Sequence, residues 1–157
     1  MVNRWCFPDS TGGVAMHNYY LSQLLQSEFD CSLVSTDSKK NLIKYNNTSI
    51  KYLGITHPVL ININFSTLKN AVRSYSDYKI SKNYSGKIND EYGIVEFMDI
   101  HSEGYYYLKK YPNKRKNVVI RSHTPFGLLK QYFNKTELKG VDTWFAFERE
   151  KKCFNWA

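Results

Sequence analysis

One short run of β-branched residues constrains the fold of this chain more than any other feature of its sequence. Val118, Val119 and Ile120 are apolar at successive positions, a basic segment precedes them, and Arg-Ser-His-Thr-Pro follows. A strand with one face in water would alternate apolar and polar residues instead. The run therefore predicts a strand that is covered on both faces, as in a parallel sheet with helices on each side.

The rest of the chain alternates between strand patterns and helix patterns. Further strands are predicted at 4–7, 31–35, 49–53 and 92–97. Helices are predicted at 14–25, 65–78, 102–110, 127–133 and 141–157, and the polar stretch 79–91 predicts a loop. This alternation predicts an α/β fold: a three-layer, Rossmann-like open parallel sheet with helices on both faces, in a single domain over residues 1–157.

Length and composition exclude several classes of protein. The chain has 157 residues, 42% of them apolar, which is enough for a packed core without disulfides or metals. No apolar run approaches the ~20 residues of a membrane span, and the N-terminus has no apolar signal region, so we expect a soluble, cytoplasmic protein. Cys6, Cys31 and Cys153 are odd in number and widely spaced, so neither a disulfide framework nor a structural metal site is expected.

The positive charge is concentrated in one cluster. The chain carries 22 Lys and Arg against 14 Asp and Glu, for a formal net charge of +8, and the cluster comprises Lys109, Lys110, Lys114, Arg115 and Lys116. A solvated loop is the simplest interpretation. Peripheral contact with an anionic membrane at its inner face, or with an acidic acceptor, is a second interpretation, and contact with nucleic acid is a third that we do not expect.

Ligands of an open parallel sheet bind beyond the carboxyl ends of its strands, so the loops there are candidate sites. The first such loop contains Ser10, Thr11, Gly12 and Gly13. Paired glycines would let the backbone approach a ligand, and the following helix would offer free N–H groups to a phosphate. The loop lacks the GxGxxG and GKS/T patterns, however, and an ordinary strand-to-helix turn would look the same.

Two further loops carry polar residues suited to a hydroxylated ligand. Ser122 and His123 follow the β-branched run, and His101 and Glu103 follow the strand at 92–97. An imidazole can donate a hydrogen bond to a sugar hydroxyl or a phosphate oxygen. Without a ligand, Ser102 and Glu103 could cap the helix that follows them, and His123 could cap the next helix or bond a carbonyl group of the core. His17 and His57 have no partner pattern and are expected to be structural or surface residues.

Four motifs occur in an order that resembles a known family. They are Gly12-Gly13-Val14, Glu103-Gly104, the segment Val-Val-Ile-Arg-Ser-His-Thr-Pro at 118–125, and Glu148-Arg149-Glu150. Together they resemble the N-terminal domain of GT-B glycosyltransferases, specifically the retaining family-four enzymes, over nearly the whole chain. The resemblance implies that this domain binds the acceptor and that a C-terminal domain, outside this sequence, binds most of the donor.

The resemblance also implies a chemistry and a set of site residues. A sugar would pass from a nucleotide-sugar donor to a glycan or lipid-linked acceptor with retention of configuration. Gly12 and Gly13 match the glycine loop beside the donor diphosphate, His123 matches the active-site histidine near the transferred sugar, and Glu103 matches less securely. No cofactor and no metal is expected, and the absence of a DxD pair fits that expectation.

Two other classes of function compete with this one. A non-catalytic Rossmann-like module could bind a nucleotide or a polyanion through the glycine loop and the basic cluster. A hydrolase could use Ser122 or His123, but the sequence has no GxSxG elbow to support it.

Overall fold

The computed structural model describes residues 1–2, 10–35, 43–45, 48–54, 66–88, 92–123, 125, 128 and 141–157. The chain divides into two compact units, Met1–Thr56 and His57–Ala157. In the described ranges, the first unit has a three-stranded sheet and the second has a two-stranded sheet. Both sheets contain a parallel pair and both units contain helices, so the α/β class is confirmed.

The first unit is built from one helix and three short strands. They are α1 (Gly13–Leu25), β1 (Ser32–Ser35), β2 (Ile43–Tyr45) and β3 (Thr48–Tyr52). β1 and β3 pair in parallel with Leu33 opposite Ile50, and these two residues form a buried core with Tyr19 and Tyr52. The predicted helix at 14–25 and the strands at 31–35 and 49–53 are confirmed to within about one residue.

The sequence predicts a purely parallel sheet, but the sheet of the first unit also contains an antiparallel pair. β2 pairs with β3 in the antiparallel direction, because the two-residue connection Asn46-Asn47 can join antiparallel strands but is too short for a crossover. Val2 forms a parallel bridge with Val34. The strand predicted at 4–7 lies outside the described residues.

The second unit contains three helices and two strands among its described residues. They are α2 (Ser66–Lys87), β4 (Val95–Met98), α3 (Tyr105–Lys110), β5 (Val118–Arg121) and α4 (Val141–Trp156), with short 3-10 helices at Ile100–Ser102 and Pro112–Asn117. β4 and β5 pair in parallel, with Phe97 opposite Ile120. The helix predicted at 127–133 lies outside the described residues, apart from Leu128.

Helix α2 is longer than its sequence pattern predicted. The stretch 79–91 was predicted to be a loop, but the helix continues to Lys87. Ile80, Tyr84 and Ile88 recur every four residues and are at most 4% exposed. Ser81 and Ser85 are also buried. The Ser81 hydroxyl accepts a hydrogen bond from the Tyr106 N–H, and the Ser85 hydroxyl donates one to the carbonyl oxygen of Lys82. Because small hydroxyl residues fill part of the buried face, the apolar periodicity is too weak to detect in the sequence.

The β-branched run forms β5 as predicted, but it is not covered on both faces. Val118 is 7% exposed, whereas Val119 is 45% exposed. Successive strand residues point to opposite faces, so the face occupied by Val119 is open to solvent. Within the described ranges, no helix has the length and apolar composition needed to cross a membrane.

Candidate functional site

The second and third candidate loops meet at one edge of the two-stranded sheet. β4 ends at Met98 and β5 at Arg121, and in a parallel pair the two carboxyl ends lie at the same edge. The N–H of Asp99 donates to the carbonyl oxygen of Arg121 across 3.1 Å. The structure therefore brings the loop of His101 and Glu103 next to the loop of Ser122 and His123.

Asp99 holds these two loops together. Its side chain is buried, with the residue 2% exposed, and its Oδ2 accepts hydrogen bonds from the Ser122 hydroxyl at 3.2 Å and from the His123 N–H at 3.0 Å. Its other oxygen, Oδ1, is buried and has no hydrogen-bond partner in the described part of the chain. In the sequence, Asp99 is the first residue of the candidate loop that also contains His101 and Glu103, and its position directly after a predicted strand is the local signal for a residue that fixes a loop.

The turn after β4 has an unusual backbone. His101 and Ser102 have φ of 64° and 52°, in the left-handed region that residues with a side chain rarely adopt. The Ser102 N–H donates to Asp99 O at 2.8 Å, and Nδ1 of His101 lies 3.2 Å from Oδ2 of Asp77 on α2. Such strain persists only where the surrounding contacts enforce it, and it is concentrated at functional sites.

Ser102 does not occupy the cap position of the helix after β4. The helix predicted to start at Ser102 starts at Tyr105, and the cap position before it is occupied by Gly104, which has no side chain to form a cap. Gly104 has a packing role instead, since a Cβ there would lie 3.0 Å from Cδ2 of Phe97 and 3.1 Å from Cδ1 of Ile120. Glu103 beside it is 2% exposed. In this Glu-Gly pair, the close approach of Phe97 and Ile120 requires the glycine, and the glutamate is buried.

A buried arginine on α4 interacts with Asp77, the same carboxylate that contacts His101 in this turn. Arg149 is 9% exposed and donates to Ser74 of α2, to its carbonyl oxygen at 3.1 Å and to its hydroxyl at 3.0 Å. Burial lowers the pKa of Arg149, and the charge of Asp77 acts in the opposite direction. Asp77 thus interacts with both His101 and Arg149, which joins α2, α4 and the strained turn.

The side chain of Arg121, at the end of β5, forms an ion pair with Glu96 of β4. Its Nε donates to Oε1 of Glu96 at 2.9 Å, and its terminal Nη2 donates to Oε2 of Glu96 at 2.6 Å. This two-point ion pair joins β5 to β4. Of the loop residues after β5, Ser122 is exposed and His123 is half-buried, with its Nδ1 atom inaccessible to solvent.

The glycine loop lies in the first unit. Gly12 precedes α1 with φ of −62°, and the helix start has no side-chain cap. The Gly12 N–H lies 3.4 Å from the Ser10 hydroxyl, a long hydrogen bond, and Thr11 is exposed. A Cβ at Gly13 would meet nothing within 4 Å. The backbone here does not require glycine. Because Gly13 has no side chain, there is open space beside it at the start of α1.

The described residues offer two further observations on binding. No group of three His, Cys, Asp or Glu residues among them is arranged to hold a metal ion. In the first unit, an open depression of about 490 Å³ is lined by residues 26–31 and Ser49. None of the predicted site residues lines it.

Comparison of the chain with protein-family models, curated proteins and solved structures gave no match.

Proposed function

We propose that this chain is the acceptor-binding half of a retaining GT-B glycosyltransferase, with a sugar-type substrate bound at the carboxyl ends of β4 and β5. The observation that carries the proposal is that the buried carboxylate of Asp99, in the loop after β4, accepts hydrogen bonds from Ser122 and His123 in the loop after β5. The proposal includes a three-layer Rossmann-like sheet and a separate C-terminal domain that binds the nucleotide-sugar donor.

The location of the polar side chains supports a hydroxylated ligand. Ser122 and His123 follow β5 at the edge of a parallel pair, where ligands of α/β sheets bind. Asp99 fixes the His123 backbone, which limits where the imidazole can lie. A half-buried imidazole at such an edge can donate to or accept from a hydroxyl group, and this is the polar contact that a sugar requires.

In this proposal the glycine loop of the first unit and the His123 loop of the second unit have separate roles. Sugar transfer with retention passes through an oxocarbenium-like state while negative charge builds up on the departing diphosphate. Free N–H groups at the start of α1, beside Gly12 and Gly13, would stabilise that diphosphate. His123 would bind the transferred sugar. Glu103 is 2% exposed, so it would contact substrate only after a movement of the strained turn.

The experiment is sugar transfer by the natural full-length protein, assayed over a panel of nucleotide sugars with glycan and lipid-linked acceptors. Two variants are compared, His123→Ala at the proposed site and His17→Ala on the exposed surface of α1. We expect transfer by the parent protein and by His17→Ala, and a large loss in His123→Ala. Absence of transfer from every donor, or equal rates in the two variants, contradicts the proposal.

A further inference from the structure

The second unit carries an unusually one-sided distribution of charge. Between Glu103 and Glu137 the sequence has 33 residues with no Asp or Glu, and eight of them are Lys or Arg. Five of the eight form what we name the basic surface: Lys109, Lys110, Lys114, Arg115 and Lys116. No acidic residue lies among their sequence neighbours, and this imbalance favours a positive potential over this part of the unit.

The basic surface is built on ordered backbone. Its residues occupy the last turn of α3 and the 3-10 helix Pro112–Asn117. The Tyr111 hydroxyl donates to Ser85 O of α2 at 3.1 Å, and Nε of Arg115 donates to Leu108 O at 3.0 Å. These contacts fix the direction of the surface relative to the unit.

Aromatic rings lie beneath the cationic groups. The ammonium groups of Lys110 and Lys114 lie 4.9 Å and 5.2 Å from the centre of the Tyr111 ring. The Arg115 guanidinium lies 4.6 Å from the centre of the Trp156 ring, which also stacks on Tyr105. Two lysines over a Tyr ring and an arginine over a Trp ring combine cationic groups with aromatic surface, a combination typical of the headgroup region of a bilayer.

We propose that the basic surface binds the second unit to the face of an anionic lipid bilayer. Single-stranded nucleic acid is the competing polyanion, but it binds by stacking bases on free aromatic faces and favours arginine. Here Tyr111 and Trp156 are already engaged by the chain's own cations, and four of the five basic residues are lysines. The observations therefore favour lipid headgroups. This inference does not depend on the proposed glycosyl transfer.

The test measures binding of the chain to vesicles by co-sedimentation. Vesicles of phosphatidylcholine with about 30 mol% phosphatidylglycerol are compared with pure phosphatidylcholine, at low salt and at about 0.5 M salt. The variant Lys109→Gln/Lys110→Gln/Lys116→Gln removes three exposed charges of the surface. Each lysine near an anionic bilayer contributes about fivefold to partitioning, so we expect a loss of about 10²-fold.

A matched variant distinguishes an effect of the basic surface from an effect of the net charge of the chain. Lys79→Gln/Lys82→Gln/Lys151→Gln removes three exposed lysines outside the basic surface, and Lys109→Arg/Lys110→Arg/Lys116→Arg keeps the charge. Both should bind anionic vesicles nearly as the parent does. Equal losses in the two glutamine variants, binding to neutral vesicles, or binding to a single-stranded oligonucleotide without binding to vesicles would each overturn the proposal. Circular dichroism establishes that each variant is folded.

Discussion

The backbone N–H of His123 donates to Oδ2 of Asp99 across 3.0 Å, and this bond fixes the residue that follows β5 to the residue that follows β4. Because Asp99 is 2% exposed, water cannot readily replace a lost partner. The position of the candidate imidazole therefore depends on a carboxylate in a neighbouring loop.

Replacing Asp99 should destabilise the second unit in proportion to the hydrogen bonds that are lost. Asp99→Ala removes the acceptor for both Ser122 and His123, and we expect a loss of about 2–3 kcal/mol. Asp99→Asn keeps one acceptor and should cost less. Ser122→Ala should cost under about 1 kcal/mol, because the Ser122 side chain is exposed. Urea unfolding measures all three, and equal losses would contradict this account.

Two glycine-to-alanine substitutions should have opposite effects on stability. Gly104→Ala places a Cβ 3.0–3.1 Å from Phe97 and Ile120, and such overpacking typically costs about 1–3 kcal/mol. Gly86→Ala, in α2, meets nothing within 4 Å and should stabilise the helix by about 0.5–1 kcal/mol. Thermal unfolding of the two variants checks both signs, and a stabilising Gly104→Ala would contradict the close packing.

The Cys153 thiol should make stability depend on alkaline pH. Burial, and secondarily the charge of Glu150, raises the pKa of Cys153 to about 12 from 9.0. The unfolded chain then loses the thiol proton first, so this contribution is present below pH 9 and is lost as pH rises toward 12. The slope should approach about 1.4 kcal/mol per pH unit.

The control for this slope is Cys153→Ala. It should flatten the dependence of the unfolding free energy on pH, but not abolish it. Tyr107, whose pKa is raised mainly by burial, contributes in the same direction at higher pH. Identical slopes in the parent and in Cys153→Ala would show that the thiol is not the titrating group.

His123→Ala should lower sugar transfer by about 10²-fold or more in the full-length protein, the magnitude expected when a polar group at the transition state is lost. The bond to Asp99 comes from the His123 backbone, so the substitution keeps it and the fold should be retained. Steady-state kinetics beside an unfolding curve separate the two effects. Unchanged turnover would remove His123 from the site.

Gly13→Asp should abolish donor binding without unfolding the chain. A Cβ at Gly13 has open space around it, and a carboxylate in the first turn of α1 interacts favourably with the helix dipole. The same negative charge would repel a diphosphate. Calorimetry with nucleotide sugars on the full-length protein tests binding, with Gly13→Ala as the uncharged control. Normal affinity in Gly13→Asp would contradict the assignment of this loop.

The isolated chain of 157 residues should bind nucleotide sugars only weakly. If most donor contacts lie in another domain, the dissociation constant should be about 1 mM or weaker, equivalent to about 4 kcal/mol. Ligand-observed NMR detects binding in this range. Micromolar affinity or transfer by these residues alone would show that the donor site is complete without a further domain.

Several elements were predictable because their signals are local. Residues 14–25 and 141–156 carry local helix patterns and residues 118–121 contain the β-branched run, and each segment forms the predicted element. The antiparallel strand β2 was missed because three residues carry too little pattern. The predicted single domain and three-layer sheet, together with the function and the site residues, remain predictions.

By itself, the sequence determined which loops carry polar groups after strands, because that information lies in neighbouring residues. Only the tertiary structure decided that the loops after β4 and β5 are joined through Asp99, that Gly104 is confined by Phe97 and Ile120, and that α2 continues to Lys87. Each of these depends on contacts with residues distant in sequence. A buried carboxylate or a crowded Cβ is defined by what packs against it, and no local pattern of residue types contains that information.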